Sequence, residues 1–152
     1  MEQKGMVHAL KEIHGLLKPD GVLIDIHPTP DAPVVEAING SKRVFSESLL
    51  VNYLEGITHA EFALKKSAEI GLFVVGETIE IEFRHYATTP SELRTHWDAI
   101  EPYSDTPKEK IITAREDQVF SHLESFFKLA GEGSNVAIAE RAYVSRYLPV
   151  KE

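Results

Sequence analysis

Met6-Val7-His8-Ala9-Leu10-Lys11-Glu12-Ile13-His14-Gly15-Leu16-Leu17-Lys18-Pro19-Asp20-Gly21-Val22-Leu23-Ile24-Asp25-Ile26-His27-Pro28 is the stretch on which the fold reading turns. Val7, Leu10, Ile13, Leu16 and Leu17 recur at helical spacing and form one apolar stripe. Pro19 cannot continue a helix, and Lys18 before it is biased out of helical geometry, so the helix stops there. Asp20-Gly21 supplies a turn. Residues 22–26 then form a nearly unbroken apolar run, the pattern of a strand covered on both faces in a parallel sheet.

Outward from this stretch, His27-Pro28-Thr29-Pro30-Asp31-Ala32-Pro33 is a stiff, proline-rich loop. Two β-prone runs, Val34-Val35-Glu36-Ala37-Ile38 and Ser41-Lys42-Arg43-Val44-Phe45, flank Asn39-Gly40, a strong hairpin signal. A helix is expected from Ser48, as its cap, to Ile70, closed by Gly71. In residues 78–86, Ile79, Ile81 and Phe83 alternate with Glu80, Glu82 and Arg84, predicting a strand buried on one face and wet on the other. Thr89-Pro90-Ser91-Glu92 and Thr106-Pro107-Lys108-Glu109 each place threonine, proline and glutamate as a capping box does. They predict separate helices over 90–100 and 107–130, broken around 102–105. Residues 136–144 form the last expected strand.

Leu16-Leu17-Lys18-Pro19-Asp20-Gly21 before an apolar strand resembles the segment leading into the fifth strand of the Rossmann-like S-adenosylmethionine-dependent methyltransferases. The resemblance implies an α/β fold, a partial Rossmann-like methyltransferase fold. Residues 22–26, 78–86 and 136–144 would be the family's fifth, sixth and seventh strands. Its small mixed sheet would have the order 5-7-6, with flanking helices, an inserted β-hairpin, and a helical excursion between the sixth and seventh strands. The family's first four strands and glycine-rich cofactor loop have no counterpart, so the chain reads as a single methyltransferase-like C-terminal module spanning residues 1–152. No S-adenosylmethionine site is expected in this chain itself; the cofactor would bind only if a missing half completed the fold.

Composition narrows the function classes. The 152 residues are 43% hydrophobic and 26% charged, as in an ordinary soluble domain. With 24 acidic against 16 basic residues the net charge is -8, and no basic block stands out, which argues against nucleic acid or an anionic membrane as partner. No apolar run approaches the ~20 residues of a membrane span, and no signal peptide is read at the polar N-terminus. The absence of cysteine removes disulfides and thiolate chemistry and fits the cytoplasm.

Ligands of open α/β sheets bind beyond the carboxyl ends of the parallel strands. By the resemblance that end gathers Asp25, His27, His85, Tyr86 and Asn135 as substrate-binding candidates on the acceptor side of a methyltransferase site. Asp25 and His27, two apart on one strand face, read either as an acid–base or ligand pair or as an aspartate bonding nearby backbone. His85 and Tyr86 read equally as ligand contacts or packing residues. No metal set has suitable spacing.

Two functional classes follow. One is the acceptor half of a methyltransferase, not catalytic alone. The other is a non-catalytic binding or assembly module that completes a partner chain supplying an N-terminal half. Either way, the strand over 22–26 loses its fourth-strand neighbour and the Leu10–Ile13–Leu17 stripe loses its cover, so a homodimer centred on the first helix and strand is expected.

Overall fold

The computed structural model describes residues 3–100, 107–130 and 133–151. In chain order the elements are α1 (Gln3–Leu16), β1 (Leu23–Pro28), β2 (Val34–Asn39), β3 (Lys42–Ser48), α2 (Leu54–Glu69), β4 (Phe73–Ala87), α3 (Pro90–Asp98), α4 (Lys110–Ala130) and β5 (Ser134–Pro149). The protein is thus an α/β fold with a five-stranded antiparallel sheet and flanking helices. Strand β5 is the common partner. It pairs with β1 from Leu23↔Tyr147 to Pro28↔Ala142, with β2 from Val34↔Ala139 to Asn39↔Ser134, and with β4; β3 adds to β2.

The chain divides into two compact units. The first comprises residues up to 30, 53–81 and 142 onward; the second comprises 31–52 and 82–141. No linker marks the division, because β4 and β5 each continue through it.

The core of the first unit joins Leu10 of α1, Ala63 and Leu64 of α2, Phe73 of β4 and Tyr147 of β5, with Leu17 and Leu23 packed against them. Phe73 meets Tyr147 edge-on at 6.3 Å between ring centroids. After β5, the chain is tied to the end of α1: the Val150 carbonyl accepts from His14 Nε2 at 2.7 Å, and Lys151 Nζ donates to the His14 carbonyl. Such a cation satisfies a helix's last carbonyls and suits its dipole. In β4, a Cβ added to Gly76 would lie 3.2 Å from the Arg146 carbonyl, so glycine lets β4 run this close to β5.

In the second unit, alternate residues of two strands, Val35 and Ala37 with Val136 and Ile138, pack beneath Leu93 of α3 and Val119, Phe120 and Leu123 of α4. Each of these valine, leucine, isoleucine and phenylalanine side chains stabilises the unit by about 1.5–3 kcal/mol when removed from water. Two carboxylates are buried there. Glu116 accepts from Trp97 Nε1 at 2.9 Å and Lys108 Nζ at 3.0 Å, which binds α3 to α4. Glu36 accepts from Arg84 Nε at 2.9 Å; its other oxygen lies 2.8 Å from Arg43 Nε, an ion pair by distance but without hydrogen-bond alignment. That bond with Glu36 is the main reason the Arg84 guanidinium titrates above its ordinary range.

The structure corrects several expectations. The strand over 22–26 is not covered on both faces: β1 alternates half-buried and exposed residues, and its partner β5 is antiparallel. Strand β4 is exposed along most of its length on both faces, so Ile79, Ile81 and Phe83 have no core beneath them. The helix expected from Ser48 starts at Leu54, because Ser48 ends β3 and the Leu49 amide extends that edge by donating to the Pro33 carbonyl at 2.9 Å. The hairpin turns at Gly40-Ser41, with φ +61 at Gly40, while Asn39 stays in the ladder opposite Lys42. The Leu10–Leu17 part of the α1 stripe is covered by the first unit's own core. The second helix begins at Lys110 instead of 107, with the Glu109 carbonyl taking its first bonds; Thr106, its expected cap, lies outside the described residues.

The first capping box is present. Thr89 Oγ1 accepts from the Glu92 amide at 3.2 Å, and Glu92 reaches back to Thr88, accepting from its hydroxyl at 2.7 Å and its amide at 2.8 Å. The Thr88 hydroxyl, first, and then its amide hold the Glu92 carboxyl below the usual range. A lowered folded-state pKa contributes stability present above the unfolded pKa and lost as pH falls through the folded one. Thr89→Ala is expected to lower stability by about 1 kcal/mol in urea unfolding. Glu92→Gln should flatten the acid side of the stability profile.

Candidate functional site

A cleft of about 430 Å³ opens in the first unit between α2 and the sheet. The register decides what lines it. Paired residues of antiparallel strands point to the same face, so Leu23, Asp25 and His27 of β1 share a face with Tyr147, Ser145 and Tyr143 of β5. Thr78 of β4 joins them through a 3.0 Å bond between its Oγ1 and Ser145 Oγ. Helix α2 supplies Leu64 and Ala68 as an apolar wall, with Glu61, Lys65 and Glu69 also lining the cleft.

Asp25 and His27 form the polar centre. Nδ1 of His27 lies 2.6 Å from Asp25 Oδ2, and both side chains are mostly buried. An ionised aspartate can only accept, so Nδ1 carries the proton and the neutral ring's free lone pair falls on Nε2. Nε2 is buried and has no hydrogen-bond partner among the described residues; Glu61 Oε1 stands 3.9 Å away, beyond hydrogen-bonding distance. The Tyr143 ring packs edge-on against the imidazole at 5.7 Å. An oriented imidazole with one nitrogen anchored and the other open is the arrangement of a proton acceptor.

Tyr147 senses the same aspartate. Burial, first, and the negative charge of Asp25 raise its phenol above the ordinary range, and a bond with the Ser145 side chain offsets part of the rise.

The other candidates fall elsewhere. His85 Nε2 donates to Glu140 Oε2 at 3.0 Å; the ring packs edge-on against Phe83 and, with Tyr86, borders a second cavity of about 410 Å³ that also contacts Leu93, His96 and Trp97. Asn135 is exposed at the far end of β5, opposite Ile38. The carboxyl end of β1 meets β5 at Ala142, not at its start, because the first half of β5 is occupied by β2. The five candidates therefore do not form one constellation. Ser145, Tyr143, Tyr147 and Thr78 were not singled out from the sequence; only the β1–β5 register reveals that they face Asp25 and His27. Among the described residues, no cluster of His, Cys, Asp or Glu has the geometry of a metal site.

The residues do not fit S-adenosylmethionine as the methyltransferase resemblance would require. The positive-φ glycines Gly40, Gly71 and Gly133 lie in the β2–β3 turn, after α2 and before β5. Neither the segment from β3 to α2 nor that from β4 to α3 contains a glycine, so no strand opens into a helix through the loop that would cradle the cofactor. Comparison with family models, with curated proteins and with solved structures returned no match. No helix among the described residues is long and apolar enough to cross a membrane.

Asp25→Asn removes the charge beside Tyr147 while leaving its burial in place. The tyrosinate should then form at lower pH than in the parent, still above the range of an exposed tyrosine. Spectrophotometric titration would show this, with Tyr147→Phe identifying the transition. An unmoved Tyr147 transition would mean that the two groups do not face each other.

Proposed function

We propose that this chain is the acceptor-side half of a Rossmann-like methyltransferase, and that its first-unit cleft binds a small molecule carrying an ionisable hydroxyl on an apolar body. The observation that carries this reading is the unbonded Nε2 of His27, held by Asp25 at the carboxyl end of β1 and bordering the cleft. The methyltransferase resemblance puts the acceptor at this end of this strand. The pairing of β5 with both β1 and β4 supports it further, since in the family the seventh strand pairs with the fifth and the sixth.

The chemistry proposed for the chain itself stops at the proton. An acceptor hydroxyl near Nε2 would give its proton to the imidazole, and Asp25 would stabilise the resulting imidazolium. Leu64, Ala68 and Tyr143 would enclose the apolar body. Methyl transfer would need the cofactor half from another chain or segment. The second reading, an assembly module, draws on the uncovered sheet face treated below.

4-Nitrophenol is a suitable probe because its absorbance reports both binding and loss of its proton. Saturable binding with a shift toward phenolate is expected for the full chain, weakened about tenfold by His27→Asn or Asp25→Asn. His122→Asn, remote in sequence and paired with Glu47, should leave it unchanged. Equal binding by the His27 variant would remove the dyad from the reading. Calorimetric titration with S-adenosylmethionine should give no saturable heat; micromolar binding would show that the chain carries a cofactor site.

A further inference from the structure

In an antiparallel sheet with one open face, polar side chains normally point to water and apolar ones to the core. The first unit inverts this pattern. On β1 the polar Asp25 and His27 face the helix-covered side, while Ile24 and Ile26 point away from it and are 53% and 66% exposed. The pairs Ile24↔Arg146 and Ile26↔Val144 place Val144 and Arg146 of β5 on that outer face. On β4, Thr78 points inward to Ser145, so its neighbours Glu77 and Ile79 point outward, and Ile79 is 48% exposed. Ile24, Glu77, Ile79, Val144 and Arg146 line one shallow depression of about 120 Å³. An apolar strip of this kind on a sheet face marks a contact surface.

The charges beside the strip indicate its occupant. Arg146 and Glu77 sit next to each other on adjacent strands, yet neither makes an ion pair or hydrogen bond with another described residue. They are the two halves of a self-complementary pattern. A two-fold axis lying in the face between β4 and β5 sets Glu77 against the partner's Arg146, and Arg146 against the partner's Glu77, with the isoleucines between them. A contact between two copies of one surface requires such reciprocity.

We propose that the outer sheet face of the first unit, formed by Ile24, Ile26, Ile79 and Val144 and flanked by Glu77 and Arg146, docks a second copy of this chain. The dimer is closed by the sheet face, not by the α1 stripe, whose Leu10 and Leu17 already pack in the unit's own core. This proposal is independent of the proton chemistry in the cleft, which lies on the opposite face.

Sedimentation equilibrium of the full chain tests it. The parent should be a dimer at micromolar concentration. Arg146→Glu places like charges across the axis and should raise the dissociation constant roughly tenfold or more; Ile24→Lys should act in the same direction. The double variant Glu77→Arg with Arg146→Glu restores the reciprocal pattern and should restore most of the affinity. Circular dichroism and thermal melting confirm that each variant is folded, and if Ile24→Lys is not, the charge series decides alone. A monomeric parent, or a dimer indifferent to Arg146→Glu, or a double variant no tighter than the single, would overturn the proposal.

Discussion

Strand β5 is the constraint on which the rest of the sheet depends. A strand of 16 residues is about three times the usual length, and it satisfies its backbone by taking β1 and β2 in succession, with β4 also paired to it. The Thr29-Pro30-Asp31-Ala32-Pro33 segment falls between the stretches paired by β1 and β2. Prolines cannot donate to a ladder, so pairing lapses there and resumes at Val34. The interruption coincides with the boundary between the two units at residue 30. Each unit has a hydrophobic core of its own, around Leu10, Leu64 and Phe73 in the first and around Leu93, Leu123 and Ile138 in the second.

The buried charges of the second unit are closed systems. Glu116 is 1% exposed and is met by an indole N–H and an ammonium from separate segments. Glu36, also 1% exposed, lies between Arg43 and Arg84. Removing one partner of such a group leaves an uncompensated charge, whose cost exceeds what the pair contributed. These networks fix α3 against α4 and β2 against β4, and their groups are used up in doing so.

Much of the local structure was legible in the sequence. The helical stripe ending at Pro19 and the Thr89 cap with Glu92 both depend on neighbours within one or two turns, and spacing reports such neighbours directly. What could not be read was long-range. Val22 to Ile26 looks like a strand buried on both faces because periodicity counts apolar residues without knowing what covers them. Ser48 looks like a helix cap because serine favours that position, whereas Leu49 is drawn into a core by contacts with distant residues. Of the candidate site residues, Asp25 and His27 were readable as a pair because two residues along a strand return to one face. The remaining lining depended on register, and a shift of one residue would have sent Tyr143, Ser145 and Tyr147 to the opposite side.

The contrast between Glu36, Glu116 and His27 bears on function. Glu116 accepts a hydrogen bond at each oxygen, and Glu36 accepts one at Oε2 while its unbonded Oε1 lies 2.8 Å from Arg43 Nε, so a cation still faces it. Among the described residues His27 is hydrogen-bonded at Nδ1, whereas Nε2 has no hydrogen bond and only Glu61 Oε1 at 3.9 Å. A buried ring nitrogen without a bond forfeits its solvation, a penalty of about 1–3 kcal/mol, and a phenylalanine or leucine would fill the same space without it. Packing therefore does not explain an imidazole at this position, and Asp25 deepens the difficulty by burying a carboxylate solely to orient it. The arrangement becomes intelligible once the open nitrogen is given something to bind: the aspartate fixes the tautomer, Tyr143 fixes the ring plane, and the cleft supplies the third party. The proposed binding role rests on this stability given up at one atom.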